Sequence, residues 1–203
     1  MKIAVDGVAG VGKSTIARLL AKRLGILYVN TGAMYRAVAW GQQRDLSLED
    51  IHIQVQGESV WVNGCDVTDQ LYNGAIDQLA SQLATQPRVR EKLIALQRQI
   101  ARDQDVVMEG RDIGSVVLPD ADLKLYLTAS LAERARRRSR QRGEQEEAAV
   151  QEELSERDLR DGQGFGRTAA QDAVWLDTEG MDVHAVVEEA IRHLKKSKGV
   201  STL

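Results

Sequence analysis

"KIAVDGVAGVGKSTIARLLAKRLG", Lys2 to Gly25, decides the fold. Its opening is a short apolar run closed by Asp6, the length of a buried strand. Further on, Ile16, Leu19, Leu20 and Leu24 recur at helical spacing until Gly25, a residue suited to a helix C-cap. Between the two lies Gly7-Val8-Ala9-Gly10-Val11-Gly12-Lys13-Ser14, a complete G-x-x-x-x-G-K-[ST], with Thr15 behind it. The pattern carries weight because it sits where its mechanism requires, between a strand and the start of a helix. Glycines let backbone N–H groups turn toward phosphate oxygens, and the helix N-terminus adds about half a positive charge. Lys13 then reaches the outer phosphates and Ser14 can ligate Mg²⁺. A merely structural turn has no use for lysine followed by a hydroxyl in this register. Gly7 to Thr15 are therefore expected to cradle a nucleoside triphosphate, although the loop leaves its use open.

Working outward, "ILYVN", "VVMEG", "LKLYL" and "AVWLD" are the other apolar runs long enough for buried strands, and helical patterns lie between most of them. Alternation of this kind predicts an α/β fold: a P-loop NTPase core with a five-stranded parallel sheet and helices on both faces. Two segments break it. Ile51, Ile53 and Val55 alternate with polar residues, as do Val60 and Val62 around Asn63-Gly64, which predicts a small antiparallel hairpin. Two helices parted at Pro87 follow. The polar stretch from about Glu133 to Thr168 carries six arginines between Arg134 and Arg142, and its Gly162, Gly164 and Gly166 can act as hinges. It predicts two charged helices that bury little and move as a lid. The expected organisation is a core of residues 1–36, 86–131 and 169–203, a nucleotide-binding insertion of 37–85 and a lid of 132–168.

The bulk composition narrows the setting. A chain of 203 residues suits one core with insertions, and 43% hydrophobic with 28% charged residues is an ordinary soluble balance. The net charge of −3 argues against a protein that coats nucleic acid, and the arginine run has a plain reading as a helix face answered by Glu144, Glu146 and Glu147. The lone Cys65, between Gly64 and Asp66, excludes an intrachain disulfide and fits an inert turn thiol. Asp6 interrupts the first apolar run, and no stretch approaches the roughly 20 apolar residues that span a bilayer. These features predict a cytoplasmic protein without membrane or nucleic-acid partners; the accompanying expectation, on which the sequence itself is silent, is a monomer. His52, His184 and His193 are scattered, as surface residues are.

Regulatory GTPases, nucleic-acid motors and small-molecule kinases share such a phosphate loop. A guanine-reading Asn-Lys-x-Asp is missing after the late strands, where "LTAS" and "LDTEG" stand instead. A kinase must hold a second substrate against the γ-phosphate, exclude water and neutralise several charges, which an insertion, a lid and dispersed arginines suit. Among kinases, the acceptor remains to be chosen.

"DGVAGVGKST", "NTGAMYRA", "QPRVRE", "MEGRDIG" and "ERDLRD" resemble, in this order and at compatible spacings, the motifs of bacterial cytidylate kinases. The resemblance runs from Ile3 to about Asp177. It implies ATP as phosphoryl donor with Mg²⁺, and CMP or dCMP as acceptor. It also implies that Arg36, Arg111 and Arg157 converge on the acceptor phosphate and act in catalysis with Lys13. Ser81, Arg90 and Asp112 are implied to read cytosine, with Thr31 beside them and Asp161 near the ribose. Cytosine offers an amine and two acceptors, so a carboxylate and an arginine form a complementary pair, whereas uracil reverses two of the signs.

Arg134, Arg137 and Arg138 are candidates for the triphosphate side of the lid. Asp6 and Glu109 end neighbouring strands near the loop, where either can hold Mg²⁺ through water, cap a helix or pair with an arginine. Val8-Ala9 replaces the family's Pro-Ser, and Thr31 its serine. Gly164 stands where the family's "RDxxDxxR" ends in arginine, with Arg167 the candidate replacement. A kinase for another nucleotide or for shikimate, and a nucleotide-dependent nucleic-acid switch, are the rival readings.

Overall fold

The five apolar runs form one parallel sheet, with the strand that leads into the glycine-rich loop at its centre. The structure, a computed structural model, describes residues 1–143, 146–163 and 169–197; of Arg142, Arg160, Asp161 and Gln163 it describes the backbone alone. The chain opens with β1 (Lys2–Gly7), α1 (Lys13–Leu24), β2 (Leu27–Asn30) and α2 (Thr31–Gln42). A small sheet of β3 (Ile53–Gln56), β4 (Ser59–Val62) and β5 (Cys65–Asp66) follows, then α3 (Gly74–Leu83) and α4 (Pro87–Asp103). The chain returns through β6 (Val106–Glu109) and β7 (Leu123–Thr128) and leaves as α5 (Leu131–Arg142) and α6 (Glu147–Gln163). It closes with β8 (Val174–Asp177) and α7 (Val183–Ser197).

The main sheet runs β2-β6-β1-β7-β8, every neighbouring pair parallel. Alternate residues serve its two faces, as the pleat demands. Ala4, Val29, Val106 and Met108 pack with the apolar sides of α2 and α4, while Ile3, Val5, Val107 and Leu125 pack with α1 and α7. The β1 strand is central, so the loop after it emerges at the carboxyl edge of the sheet, the usual crevice of such folds.

Three local features depart from the sequence reading. The expected hairpin is present, but it continues into a third strand. Gly57-Glu58 joins β3 to β4, and Asn63-Gly64 joins β4 to β5 with φ of 51° and 82°, the paired positive values of a tight hairpin turn. At two residues, β5 is too short to show an alternating pattern. Next, a single π-helical turn, Ile113–Val117, follows directly on Arg111-Asp112. Finally, the two charged helices bury more than expected: Ala135, Val150 and Leu154 close over Ala9 in a small apolar cluster of their own. With only three such residues spread over two long helices, their periodicity is hidden among charges.

The loop's geometry explains its first glycine. Gly7 has φ +148°, and a Cβ there would lie 2.4 Å from the backbone carbonyl oxygen of Leu127 on the adjoining strand. Gly25, the αL cap of α1, meets nothing within 4 Å. Gly7→Ala is therefore expected to cost more than about 3 kcal/mol, since rigid backbone must shift, and Gly25→Ala only about 1 kcal/mol of αL strain. Urea unfolding of the two variants measures the contrast; equal losses would contradict it.

Candidate active site

A cleft opens where β1, β2 and β6 end, and it collects residues that lie far apart in the chain. One side is the phosphate loop and the start of α1, with Ala9, Gly10, Lys13 and Ser14. The other is built from the start of α2, the α3 face and the segment after β6, with Thr31, Arg36, Ser81, Arg90, Arg111 and Asp112. Arg138 from α5 and Arg157 from α6 close it.

On the loop side, backbone carbonyls face cations. Lys13 donates from Nζ to the Val8 carbonyl at 2.7 Å, and Arg111 from Nη1 to that of Gly7 at 3.2 Å. Arg134 reaches the Ala9 carbonyl at 2.9 Å, and Arg137 that of Val11 at 3.2 Å. Burial, reinforced by the neighbouring Arg111, pushes the Lys13 pKa well below the usual lysine range, and Glu109 works against that shift. Burial likewise lowers the pKa of Arg111, opposed by Glu109 and Asp158.

The two strand-end carboxylates have different partners. Glu109 is buried in the cleft and accepts a 2.6 Å hydrogen bond from the Tyr28 hydroxyl. Asp6 is buried outside the cleft lining, and its two oxygens accept from the backbone N–H groups of Ile113 and Gly114, both at 2.8 Å. Of the alternatives open to Asp6, capping is the one formed here: it holds the π turn that follows Arg111 and Asp112. Among the described residues, no three His, Cys, Asp or Glu side chains gather as a metal shell. Ser14 and Glu109 nevertheless place a hydroxyl and a carboxylate in one cleft. That sparse oxygen set fits Mg²⁺, which takes few protein ligands and fills its shell with phosphate and water.

Among the arginines of the cleft, Arg157 carries the clearest electrostatic signature. Burial, then the guanidiniums of Arg111, Arg36 and Arg138, push its pKa down to about 9, with Asp77 pulling the other way. Its Nε is buried without a hydrogen-bond partner in the structure. Such a group is a cation at neutral pH, held among like charges, and an anion relieves it. Deeper in the cleft Arg90 and Asp112 form an ion pair through Nη2 and Oδ2, both largely buried. Asp112 lifts the Arg90 pKa against the effect of burial.

The cleft therefore brings together Ala9, Gly10, Lys13, Ser14, Thr31, Arg36, Ser81, Arg90, Glu109, Arg111, Asp112, Arg138 and Arg157. It does not include Gly7, Val8, Val11, Gly12, Thr15, Arg134 or Arg137, nor Asp6. Arg134 is buried, paired with Asp158 at 2.8 Å, and Arg137 bridges Glu133 and Thr178 at 2.7 and 2.9 Å. The described carboxylate partners of the arginine run are thus Glu133 on its own helix and Glu153 and Asp158 on α6. The Asp161 side chain, Gly164 and Arg167 lie outside the described residues. Sequence reasoning missed Asn30, Tyr35, Tyr72, Asp77 and Ala84 in the lining. Helical spacing was the available signal for two of them, because Asp77 and Ala84 stand four before and three after Ser81 on one face of α3.

The sequence profile described as cytidylate kinase matches residues 3–196. The chain belongs to the cytidylate kinase family. A member named cytidylate kinase from Symbiobacterium thermophilum is 44% identical over 217 residues, 96% of this chain and 96% of its own. Another of the same name, from Caldanaerobacter subterraneus subsp. tengcongensis, is 44% identical over 219 residues, covering 98% of this chain and 97% of its own. Among solved structures, a gluconokinase from Sinorhizobium meliloti shares the fold at a TM-score of 0.53, with 16% identity over 96% of this chain and 91% of that one. The fold thus extends beyond the cytidylate kinase family. No helix among the described residues is long and apolar enough to cross a membrane.

Asp6 supplies a pH prediction. Burial, partly offset by its two backbone hydrogen bonds, raises its pKa from 3.8 to about 6. A carboxylate raised on folding favours the folded state fully below its unfolded pKa and loses that contribution as pH climbs through the folded value. The window is therefore pH 4 to 6, and the span is about 3 kcal/mol. Asp6→Asn removes the titration and adds a pH-independent offset, so between pH 4 and 7 wild type is expected to lose about 3 kcal/mol relative to the variant. Urea unfolding across that range tests it, and a constant difference would refute the assignment.

Proposed function

We propose that the chain transfers the γ-phosphoryl group of ATP to CMP and dCMP, giving ADP and the corresponding diphosphate. The observation that carries this reading is the meeting, in one cleft with Lys13 and the phosphate loop, of Arg36, Arg111 and Arg157 with the Arg90–Asp112 pair and Ser81. Three guanidiniums match a dianionic acceptor phosphate, and the neighbouring acid and base pair match the opposed donor and acceptor edges of cytosine.

In this reading the loop N–H groups and Lys13 hold the donor phosphates, with Arg138 from α5 above them. Mg²⁺, held by Ser14 and approached by Glu109 through water, would screen charge between the donor phosphates. Arg36, Arg111 and Arg157 bind the acceptor phosphate, aim its oxygen at the γ-phosphorus and neutralise charge that spreads over the transferring group. Asp112 accepts from the C4 amine while Arg90 donates to N3 and O2; Ser81 and Thr31 complete the acceptor contacts, and Asp161 is proposed to approach the ribose. Reaction is direct: oxygen attacks phosphorus as the bond to ADP breaks, and no side chain carries the phosphoryl group. Residues 37–85 serve as the acceptor-binding insertion and 132–168 as the lid, around a core of the remaining segments. The chain is proposed to act as a monomer, and supply of ATP fits the cytoplasm.

A coupled ADP-release assay with CMP, dCMP, UMP, AMP, GMP and dTMP tests the reading, which fails if neither cytidine nucleotide is turned over above background. Two variants separate the roles of adjacent residues. Asp112→Ala is expected to reduce the preference for CMP over UMP by about 1–3 kcal/mol, roughly five- to 150-fold, the worth of one bidentate base contact. Arg111→Ala is expected to depress turnover of both nucleotides by at least about tenfold through loss of a charge-assisted phosphate contact. Unchanged discrimination in the first variant would contradict the base-reading role.

A further inference from the structure

One acid in the cleft has no role in the scheme above. Asp77 lies in the first turn of α3, whose start is fixed by Asn73 accepting from the Ile76 N–H at 3.0 Å. Its Oδ1 accepts a 2.7 Å hydrogen bond from Arg36 Nε on α2. The helices carrying the two residues are locked together: Met34, Ala37 and Val38 of α2 share one core with Ile76, Ala80 and Leu83 of α3. An aromatic side chain and a glycine complete the seat of the guanidinium. Its central carbon stands 5.2 Å from the ring centre of Tyr72, and a Cβ on Gly32 would come within 3.1 Å of Nη1.

A carboxylate inside an anion site invites two readings. Either it occupies the place of the acceptor phosphate until substrate displaces it, or it fixes the arginine that binds that phosphate. The geometry favours the second. Asp77 engages Nε, on the stem side of the guanidinium, whereas a phosphate mimic belongs on the outer Nη1–Nη2 edge, where the planar fork offers two parallel donors. Nη1 instead lies by Gly32 at the start of α2, inside the cleft. Asp77 also counters the repulsion felt by Arg157 and so helps to keep the arginines assembled before an anion arrives.

We propose that Asp77 is a positioning residue of the acceptor site: it holds Arg36 by Nε and turns its outer edge to the acceptor phosphate. The inference rests on the kinase reading and deepens it. Asp77→Ala frees the guanidinium to swing, so binding of the acceptor weakens while the donor end is untouched. Asp77→Asn keeps an oxygen that accepts from Nε and therefore retains most of the aim.

The test is steady-state kinetics of wild type, Asp77→Ala and Asp77→Asn with CMP and ATP varied separately, and thermal unfolding alongside. For Asp77→Ala the expected result is a rise of about five- to tenfold in the KM for CMP, the scale of one part-exposed charge-assisted hydrogen bond. The KM for ATP stays within about twofold of wild type, and Asp77→Asn returns the KM for CMP to within about threefold. Calorimetric titration with CMP alone is expected to show the same order of affinities and does not depend on turnover. A lowered KM for CMP in both variants would establish the displaced-mimic reading and overturn the proposal. So would an unchanged KM for CMP, or parallel losses for CMP and ATP with a lowered unfolding temperature. Absence of CMP turnover in wild type would instead sink the kinase reading itself, so the two failures are distinguishable.

Discussion

Positive charge held in excess where water is scarce is the condition to which the rest of the cleft answers. Among the described side chains lining it, six are cationic and three are carboxylates, and Lys13, Arg111 and Arg157 all have pKa values depressed chiefly by burial. Such an arrangement is unfavourable on its own, because each cation forfeits hydration and feels its neighbours. The apolar packing of the sheet and its helices makes it tolerable by fixing the backbone that bears it. A polyanion is the ligand that such an excess of buried positive charge favours, because it relieves both the lost hydration and the mutual repulsion.

The division of labour along the sequence follows from that condition. Elements whose job is to present backbone, such as β1 and its loop, need glycine and small residues, and a close approach such as that of Gly7 to Leu127 allows little else. Elements whose job is to present charge carry it on helices that are packed elsewhere: α2 and α3 by their shared core, α5 and α6 by Ala135, Val150 and Leu154. The Arg90–Asp112 pair joins the two kinds of element, one member rising from the start of α4 and the other standing between β6 and a π turn that Asp6 ties down.

Much of this was legible in the sequence. The strand–loop–helix opening marked the first strand, and the apolar runs marked the others, because a strand buried on both faces has almost no choice of residue. The phosphate loop was readable because a motif tied to a helix start constrains spacing, whereas the arginines that share the cleft were indicated by the resemblance to cytidylate kinases. Other features were not. The two-residue β5 has no period to detect, and the π turn at Ile113–Val117 has no local signature, since its stability comes from Asp6, more than a hundred residues earlier. Asp77 was overlooked for a related reason: its significance lies in a partner 41 residues away, and only packing of α2 on α3 brings the two together. Arg134 and Arg137 were expected at the triphosphate, yet the loop they touch is gripped from outside the cleft.

That grip has a consequence for how the loop binds. The carbonyls of Gly7, Val8, Ala9 and Val11 each accept from a different cation, supplied by Arg111, Lys13, Arg134 and Arg137. A peptide group whose oxygen is pulled by a positive charge becomes a stronger donor at its nitrogen, as in any chain of mutually polarising hydrogen bonds. The loop thus works as an inductive relay, with cations on its carbonyl side sharpening the acidity of its own amides. Two of the four cations, Arg134 and Arg137, lie outside the cleft lining and act on the loop through its carbonyls.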